Sequence, residues 1–227
     1  KKPTAADAAL LASMASRAPR LTGEQSGEVP AKVEERPAPA PIKAPPEKAA
    51  KRAVVISVGA GKGGTGKTTF SINLGVALAE MGRRTILMDA DASMSNLSTY
   101  MGMEPNTLKT TLHEVLAGEA EPEKAVYKAF SDNLRVVPSG LSIEGFLKMD
   151  RSLLKDVIEY FSRDADFIVI DTPAGYNKEL ALSLAASDHL ILVLNPDEGS
   201  MTDGLKVQEM ARILDVNVLG IVLNRYD

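Results

Sequence analysis

Gly61-Lys62-Gly63-Gly64-Thr65-Gly66-Lys67-Thr68 lies between a β-branched run, Val54-Val55-Ile56-Ser57-Val58, and a helical stretch over residues 67–81. The eight residues fit G-x-x-x-x-G-K-[ST], and strand–loop–helix is the context in which that pattern has mechanical meaning. Glycines let the chain curl until backbone N–H groups point inward at phosphate oxygens. The start of a helix adds the positive end of its dipole. Lys67 has the reach for β- and γ-phosphates, and the Thr68 hydroxyl suits Mg²⁺. A chance glycine-rich turn would not account for the strand before it and the helix after it. Lys62 is the unusual member, because one lysine suffices for such a loop. A second lysine at the mouth is either a solvated loop charge or a group that reaches the nucleotide of a second subunit. In the latter role it would stabilise transition-state charge, as an arginine finger does.

Outward from this loop, strands and helices alternate. Phe70, Leu74, Leu78 and Met81 recur at helical spacing, and Gly82 stands where the helix should stop. Residues 85–88 read as a strand, 111–116 and 122–129 as two short helices, and 134–137 as a strand stopped by Pro138. Asp150 caps a helix running through Phe161. Strands over 167–170, 190–194 and 218–223 are interleaved with helices over 178–186 and 201–214. The rhythm predicts an α/β fold with an open, mainly parallel sheet and helices on both faces. Ligands of such sheets bind at the carboxyl ends of the strands, where the motifs fall.

Composition divides the chain. Of 227 residues, the first 52 hold eight of the 13 prolines and none of the Phe or Tyr residues. They carry ten basic and six acidic side chains, whereas 53–227 carry sixteen and twenty-four. A segment so poor in aromatics cannot bury enough surface to offset its ordering entropy. Residues 1–52 therefore read as a disordered Pro/Ala-rich arm, with 37–46 a polyproline-like spacer. A helix over 5–17 presenting Leu10, Leu11 and Met14 is a weaker docking-peptide reading. The absence of cysteine excludes disulfides, zinc–thiolate sites, a cysteine nucleophile and a cysteine-held iron–sulfur cluster in this chain. No apolar run is long enough to span a bilayer and no secretory signal is present.

Two carboxylate-bearing strand ends accompany the loop. Asp89 and Asp91 follow the second strand, and Asp171 follows Phe167-Ile168-Val169-Ile170. Carboxylates there can hold Mg²⁺-bound waters or orient an attacking water. A helix cap or loop charge is the ordinary fate of a single Asp, and two such strand ends in one chain count against it. His113 and His189 have no partner at metal-ligand spacing and read as structural or surface residues.

The segment 61–69, Gly-Lys-Gly-Gly-Thr-Gly-Lys-Thr-Thr, resembles the deviant Walker A motif of the MinD/ParA family of dimerising ATPases, with Lys62 matching its signature lysine. The resemblance runs over about 53–227. Met88-Asp89-Ala90-Asp91 with Asn96-Leu97 is similar to the family's switch I. Thr111-Leu112-His113-Glu114-Val115-Leu116, Val136-Val137-Pro138-Ser139-Gly140 and Asp171-Thr172-Pro173-Ala174-Gly175 resemble archaeal MinD-like proteins in particular. Asn195-Pro196-Asp197 and Leu223-Asn224-Arg225 follow in the family's order.

The resemblance implies ATP and Mg²⁺ as cofactors. Gly61, Lys62, Gly63, Gly64, Thr65, Gly66, Lys67, Thr68 and Thr69 would hold the phosphates, and Asn224 and Arg225 would border the adenine. Thr68, Asp89 and Asp171 would serve the metal, and Lys62, Lys67 and Asp91 the hydrolysis, with Asp91 positioning the water. It implies a homodimer in the ATP state and a cytoplasmic protein that positions division or other cellular machinery. A regulatory protein and the inner face of the cell membrane are further expected partners. Relatives continue past this point with further strand and helix, so part of the C-terminal region is expected to be absent here.

Alternatives stay open. Asn224-Arg225-Tyr226-Asp227 also resembles the guanine-reading N-K-x-D, with Asp227 as its carboxylate. A ParA-like DNA partition ATPase needs basic surface, which the acidic balance of 53–227 disfavours. A flagellum- or pilus-positioning relative, a nucleotide-locked scaffold and a small-molecule kinase complete the set.

Overall fold

A computed structural model describes residues 52–226, apart from 93–95, 105–106 and 141. The arm read over 1–52 therefore lies outside the described residues except for Arg52, and Asp227 lies outside them too.

Strand β1 (Val54–Gly59) runs into the glycine loop and helix α1 (Lys67–Glu80), and β2 (Thr85–Asp89) follows. Short helices α2 (Leu97–Tyr100) and α3 (Leu112–Leu116), a 3₁₀ turn (Pro122–Ala125) and the two-residue β3 (Tyr127–Lys128) lead to β4 (Leu134–Val137). Helix α4 (Ile143–Lys148) and a 3₁₀ turn (Arg151–Leu153) precede α5 (Leu154–Phe161) and β5 (Phe167–Asp171). Then come α6 (Lys178–Ala185), β6 (His189–Leu194), α7 (Glu198–Ile213) and β7 (Asn217–Leu223). The strands form one sheet in the order β3-β4-β2-β5-β1-β6-β7, parallel except for β3.

Alternation within the central strands feeds two cores. Ile86 and Met88 of β2 and Ile168 and Ile170 of β5 face the layer built by α3 and α5. Leu87 and Val169, one residue out of phase, face the layer containing α1. A strand covered on both faces reads as a continuous apolar run, which is why these were legible. Helix α5 buries Leu154, Val157, Ile158 and Phe161 at helical spacing.

Helix α1 behaves differently from its apolar row. It buries Lys67, Ser71, Gly75 and Ala79, while Phe70, Leu74 and Leu78 pack partly buried at the flank and Met81 is exposed. The small face brings the helix close against the sheet, so that its first turn sits over the strand ends.

Two expectations are corrected. The helix predicted over 122–129 is a single 3₁₀ turn after Pro122, after which Tyr127 and Lys128 pair antiparallel with Arg135 and Val136. Asp150 caps the 3₁₀ turn that enters α5, not α5 itself, accepting from the Ser152 N–H. Helices α2 and α4 carry too few turns for a periodicity to show and were not anticipated. Among the described residues, no helix is long and apolar enough to cross a membrane.

Candidate nucleotide site

The carboxyl ends of β1, β2 and β5 converge on the glycine loop. Parallel pairing sets Val58 opposite Asp171 and Asp89 opposite Asp171, so both acidic strand ends flank the first turn of α1. Gly66 takes a φ of 93°, and a Cβ there would also overlap the Asn224 amide, so no other residue fits this position. A cavity of about 320 Å³ opens above the loop, lined by residues 62–69, Asp91, Asn96, Tyr100, Ala174 and Arg225.

Asp171 is the hub of this site. Lys67 Nζ donates to its Oδ1 at 2.9 Å, Ser71 Oγ to the same oxygen at 3.0 Å, and Thr68 Oγ1 to Oδ2 at 2.6 Å. Lys67 and Asp171 are both buried, their side chains 8% and 2% exposed. A buried ion pair is tolerable only with further hydrogen bonds, and Ser71 and Thr68 supply them. Ser71 went unnoticed in the sequence, although its position four residues after Lys67 places it on the same helix face.

Asp89 is buried, and its Oδ1 accepts the Asp91 N–H at 3.0 Å, which shapes the turn that carries Asp91 to the cavity wall. Gly175 follows the Asp171 loop with a φ of 92° and donates its N–H to Ala60 O at 3.2 Å, tying that loop to the glycine loop. Lys62, which also lines the cavity, donates from Nζ to Asp197 Oδ1 at 2.7 Å. The Lys62 ammonium, with the Ser200 N–H behind it, holds the Asp197 carboxyl below its usual value. Asp197 also caps α7 and was noted in the sequence only as part of a motif.

At the far wall, Asn224 Nδ2 donates to Thr65 O at 2.7 Å, so the residue expected to border the base also braces the loop. Arg225, with a left-handed φ of 57°, lines the cavity beside it. His113 is buried on α3 and His189 opens β6 beside Asn217, apart from the cavity.

The residues suit a Mg²⁺-bound nucleoside triphosphate. Thr65 Oγ1 is buried without a hydrogen-bond partner among the described residues, inside a loop whose Gly63 and Gly64 leave open space. A hydroxyl and two carboxylates, from Thr68, Asp89 and Asp171, form a hard oxygen set of the kind that Mg²⁺ takes through waters.

Comparison with known proteins agrees with this geometry. Residues 53–216 match the family described as an AAA domain. The chain is 42% identical over 172 residues to an uncharacterized ATP-binding protein of Methanocaldococcus jannaschii, covering 76% of this chain and 64% of that relative. The chain thus spans less than two thirds of the length of the curated relatives it matches first. Its fold superimposes with a TM-score of 0.73 on the septum site-determining protein MinD of Pyrococcus horikoshii, solved with Mg-ADP. That match is 40% identical and covers 77% of this chain and 71% of that one. The MinC:MinD cell division protein complex of Aquifex aeolicus matches at a TM-score of 0.65 and 30% identity, covering 74% and 68%. By its loop, its sheet order and these relatives, the chain belongs to the AAA-domain family and, within the P-loop proteins, to the MinD/ParA family of deviant Walker A ATP-binding proteins.

Proposed function

We propose that this protein is a Mg-ATP-dependent ATPase that dimerises in the ATP state and positions division or other cellular machinery. The observation that carries the reading is the division of labour between two lysines of one loop. Lys67 is buried on Asp171 within the site, and Lys62, on the cavity wall, is held on Asp197. A monomeric nucleotide site has work for the first and none for the second.

Bound Mg-ATP supplies the phosphoanhydride to be cleaved and the cation that neutralises its charge. The backbone N–H groups of 61–69 would face the phosphates. Lys67 would exchange its carboxylate partner for them, while Thr68 and Asp171, with Asp89 behind, would hold the metal and its waters. Asp91, on the cavity wall, would orient the attacking water. Lys62 would leave Asp197 for the nucleotide of a second copy, adding positive charge where negative charge develops. Asn224 and Arg225 would border the adenine. The regulatory partner is proposed to be a protein, by likeness to the MinD of the MinC:MinD complex, and the surface to be the inner face of the cell membrane.

The test is ATP turnover and sedimentation with ATP, ADP or no nucleotide, repeated with anionic liposomes and with duplex DNA. Turnover with ATP-dependent liposome binding supports the reading. DNA binding in place of liposome binding would move the protein to the partition-ATPase class. A protein that binds ATP without turning it over would be a nucleotide-locked scaffold.

A further inference from the structure

Beyond Lys67, helix α1 turns a buried row of small residues to the sheet: Ser71, Gly75 and Ala79. Gly75 packs against Leu87 and Leu134, and Ala79 belongs to the same apolar layer. Alanine or glycine would serve close packing at residue 71 as well, yet a hydroxyl stands there at 0% exposure. Its Oγ lies 3.0 Å from Lys67 O, the ordinary back-bond of a helical serine. It also lies 3.0 Å from Asp171 Oδ1, on a strand a hundred residues away. The hydroxyl has one hydrogen for two acceptors at equal distance.

Asp171 divides its donors by oxygen. Oδ1 accepts from Lys67 and Ser71, and Oδ2 accepts from Thr68. Two of these donors have other work once Mg-ATP is bound: the Lys67 ammonium on the phosphates and the Thr68 hydroxyl oxygen on the metal. Ser71 lies one turn deeper along α1 than Lys67, beyond the stretch 62–69 that lines the cavity. With Lys67 gone, Oδ1 of a carboxylate 2% exposed would keep Ser71 as its one side-chain donor among the described residues. A buried carboxylate oxygen left without a donor is costly. A buried carboxylate also needs a countercharge. Mg²⁺ supplies one beside Oδ2, and in its absence Lys67 is the cation at hand and stays on Oδ1.

We propose that Ser71 is a positioning residue for the metal: when Lys67 leaves Asp171 for the phosphates of Mg-ATP, the Ser71 hydroxyl holds Oδ1 and so keeps Oδ2 turned to Thr68 and Mg²⁺. The proposal rests on the Mg-ATP reading of this site. Ser71 touches neither nucleotide nor metal. Without nucleotide its hydrogen is divided between Lys67 O and Asp171 Oδ1, and with Mg-ATP it goes wholly to Oδ1. Its contribution therefore falls on the metal-bound form and leaves metal-free ATP almost unaffected.

The experiment measures ATP affinity with Mg²⁺ and with EDTA in wild type, Ser71→Ala and Ser71→Cys, with thermal melts as the check on folding. Ser71→Ala should weaken Mg-ATP binding by about tenfold, the effect of one hydrogen bond to a charged group, while metal-free ATP binding stays within about twofold. The Mg²⁺ concentration that half-saturates binding at fixed ATP should rise in step. Ser71→Cys, which keeps a weak donor at a similar volume, should recover part of the loss. Equal weakening with Mg²⁺ and with EDTA, the mark of packing alone, would overturn the proposal, as would an unchanged Mg-ATP affinity in Ser71→Ala. If Ser71→Ala does not fold, a wild-type Mg²⁺ dependence in Ser71→Cys overturns it equally. A wild-type protein whose ATP binding does not respond to Mg²⁺ would instead overturn the reading of the site beneath it.

Discussion

Lys62 Nζ and the N–H of Ser200 share one acceptor, Oδ1 of Asp197, at 2.7 and 2.8 Å. The lysine expected to act across a dimer is thus tied to the cap of α7 in its own chain. Both side chains are more than a third exposed, so the pair is weak and easily exchanged. Asp197→Asn keeps a good capping oxygen and removes the charge. It should strengthen ATP-dependent dimerisation a few-fold, read by sedimentation, with an unchanged melting temperature. Lys62→Ala should weaken dimerisation or turnover while leaving most of the ATP affinity. Identical behaviour of Lys62→Ala and wild type would remove the cross-subunit role.

The Lys67–Asp171 pair predicts an effect without nucleotide. Lys67→Ala leaves Asp171 buried with only Thr68 and Ser71 as donors. Truncating one partner of a buried pair is costly, and with two donors remaining the loss should be about 2 kcal/mol. A domain of this size should then melt roughly 4–8 °C lower. Mg-ATP should raise the melting temperature of wild type by mass action and leave Lys67→Ala unmoved. An unchanged apo melting temperature would mean the pair contributes nothing net.

Base choice follows from Asn224. Its Nδ2 is engaged by Thr65 O, which leaves Oδ1 as an acceptor suited to the adenine amino group. ATP should bind at least roughly tenfold tighter than GTP, a difference of only ~1.4 kcal/mol. Asp227→Ala should keep that preference. Tighter GTP binding that disappears in Asp227→Ala would move the protein to the GTPase class.

The strands were legible because β1, β2 and β5 are buried on both faces, and a continuous apolar run bounded by glycine and charge suits such a strand. The loop was legible because its spacing is mechanical. What escaped were side chains whose roles depend on tertiary approach. Ser71 looks like an ordinary helical serine until Asp171 arrives from a strand a hundred residues on. Asp197 reads only as part of the Asn195-Pro196-Asp197 motif until Lys62 reaches it. His113 looks isolated because Ser139, its partner at Nε2, lies 26 residues on. The 3₁₀ turn after Pro122 was misread because four apolar or helix-forming residues carry no information about where a helix stops.

Burial gives His113 a pH signature. Its folded pKa is depressed below the ordinary 6.5, with burial as the main cause. The unfolded chain therefore binds the proton more readily as pH falls through that range, so stability is complete above about 6.5 and declines below it. Wild type should lose more melting temperature between pH 7.5 and 5.5 than His113→Gln. Equal losses would place the ring in solvent.

The central claim is an ATP-gated dimer, and sedimentation velocity of Asp91→Ala tests it most directly. Removing the group proposed to orient water should slow hydrolysis without removing phosphate contacts, so Mg-ATP should hold this variant as a dimer while Mg-ADP and nucleotide-free samples sediment as monomers. Adding Lys62→Ala should return the Mg-ATP sample toward monomer. Asp91→Ala that remains monomeric at saturating Mg-ATP, or hydrolyses it at the wild-type rate, would contradict the claim.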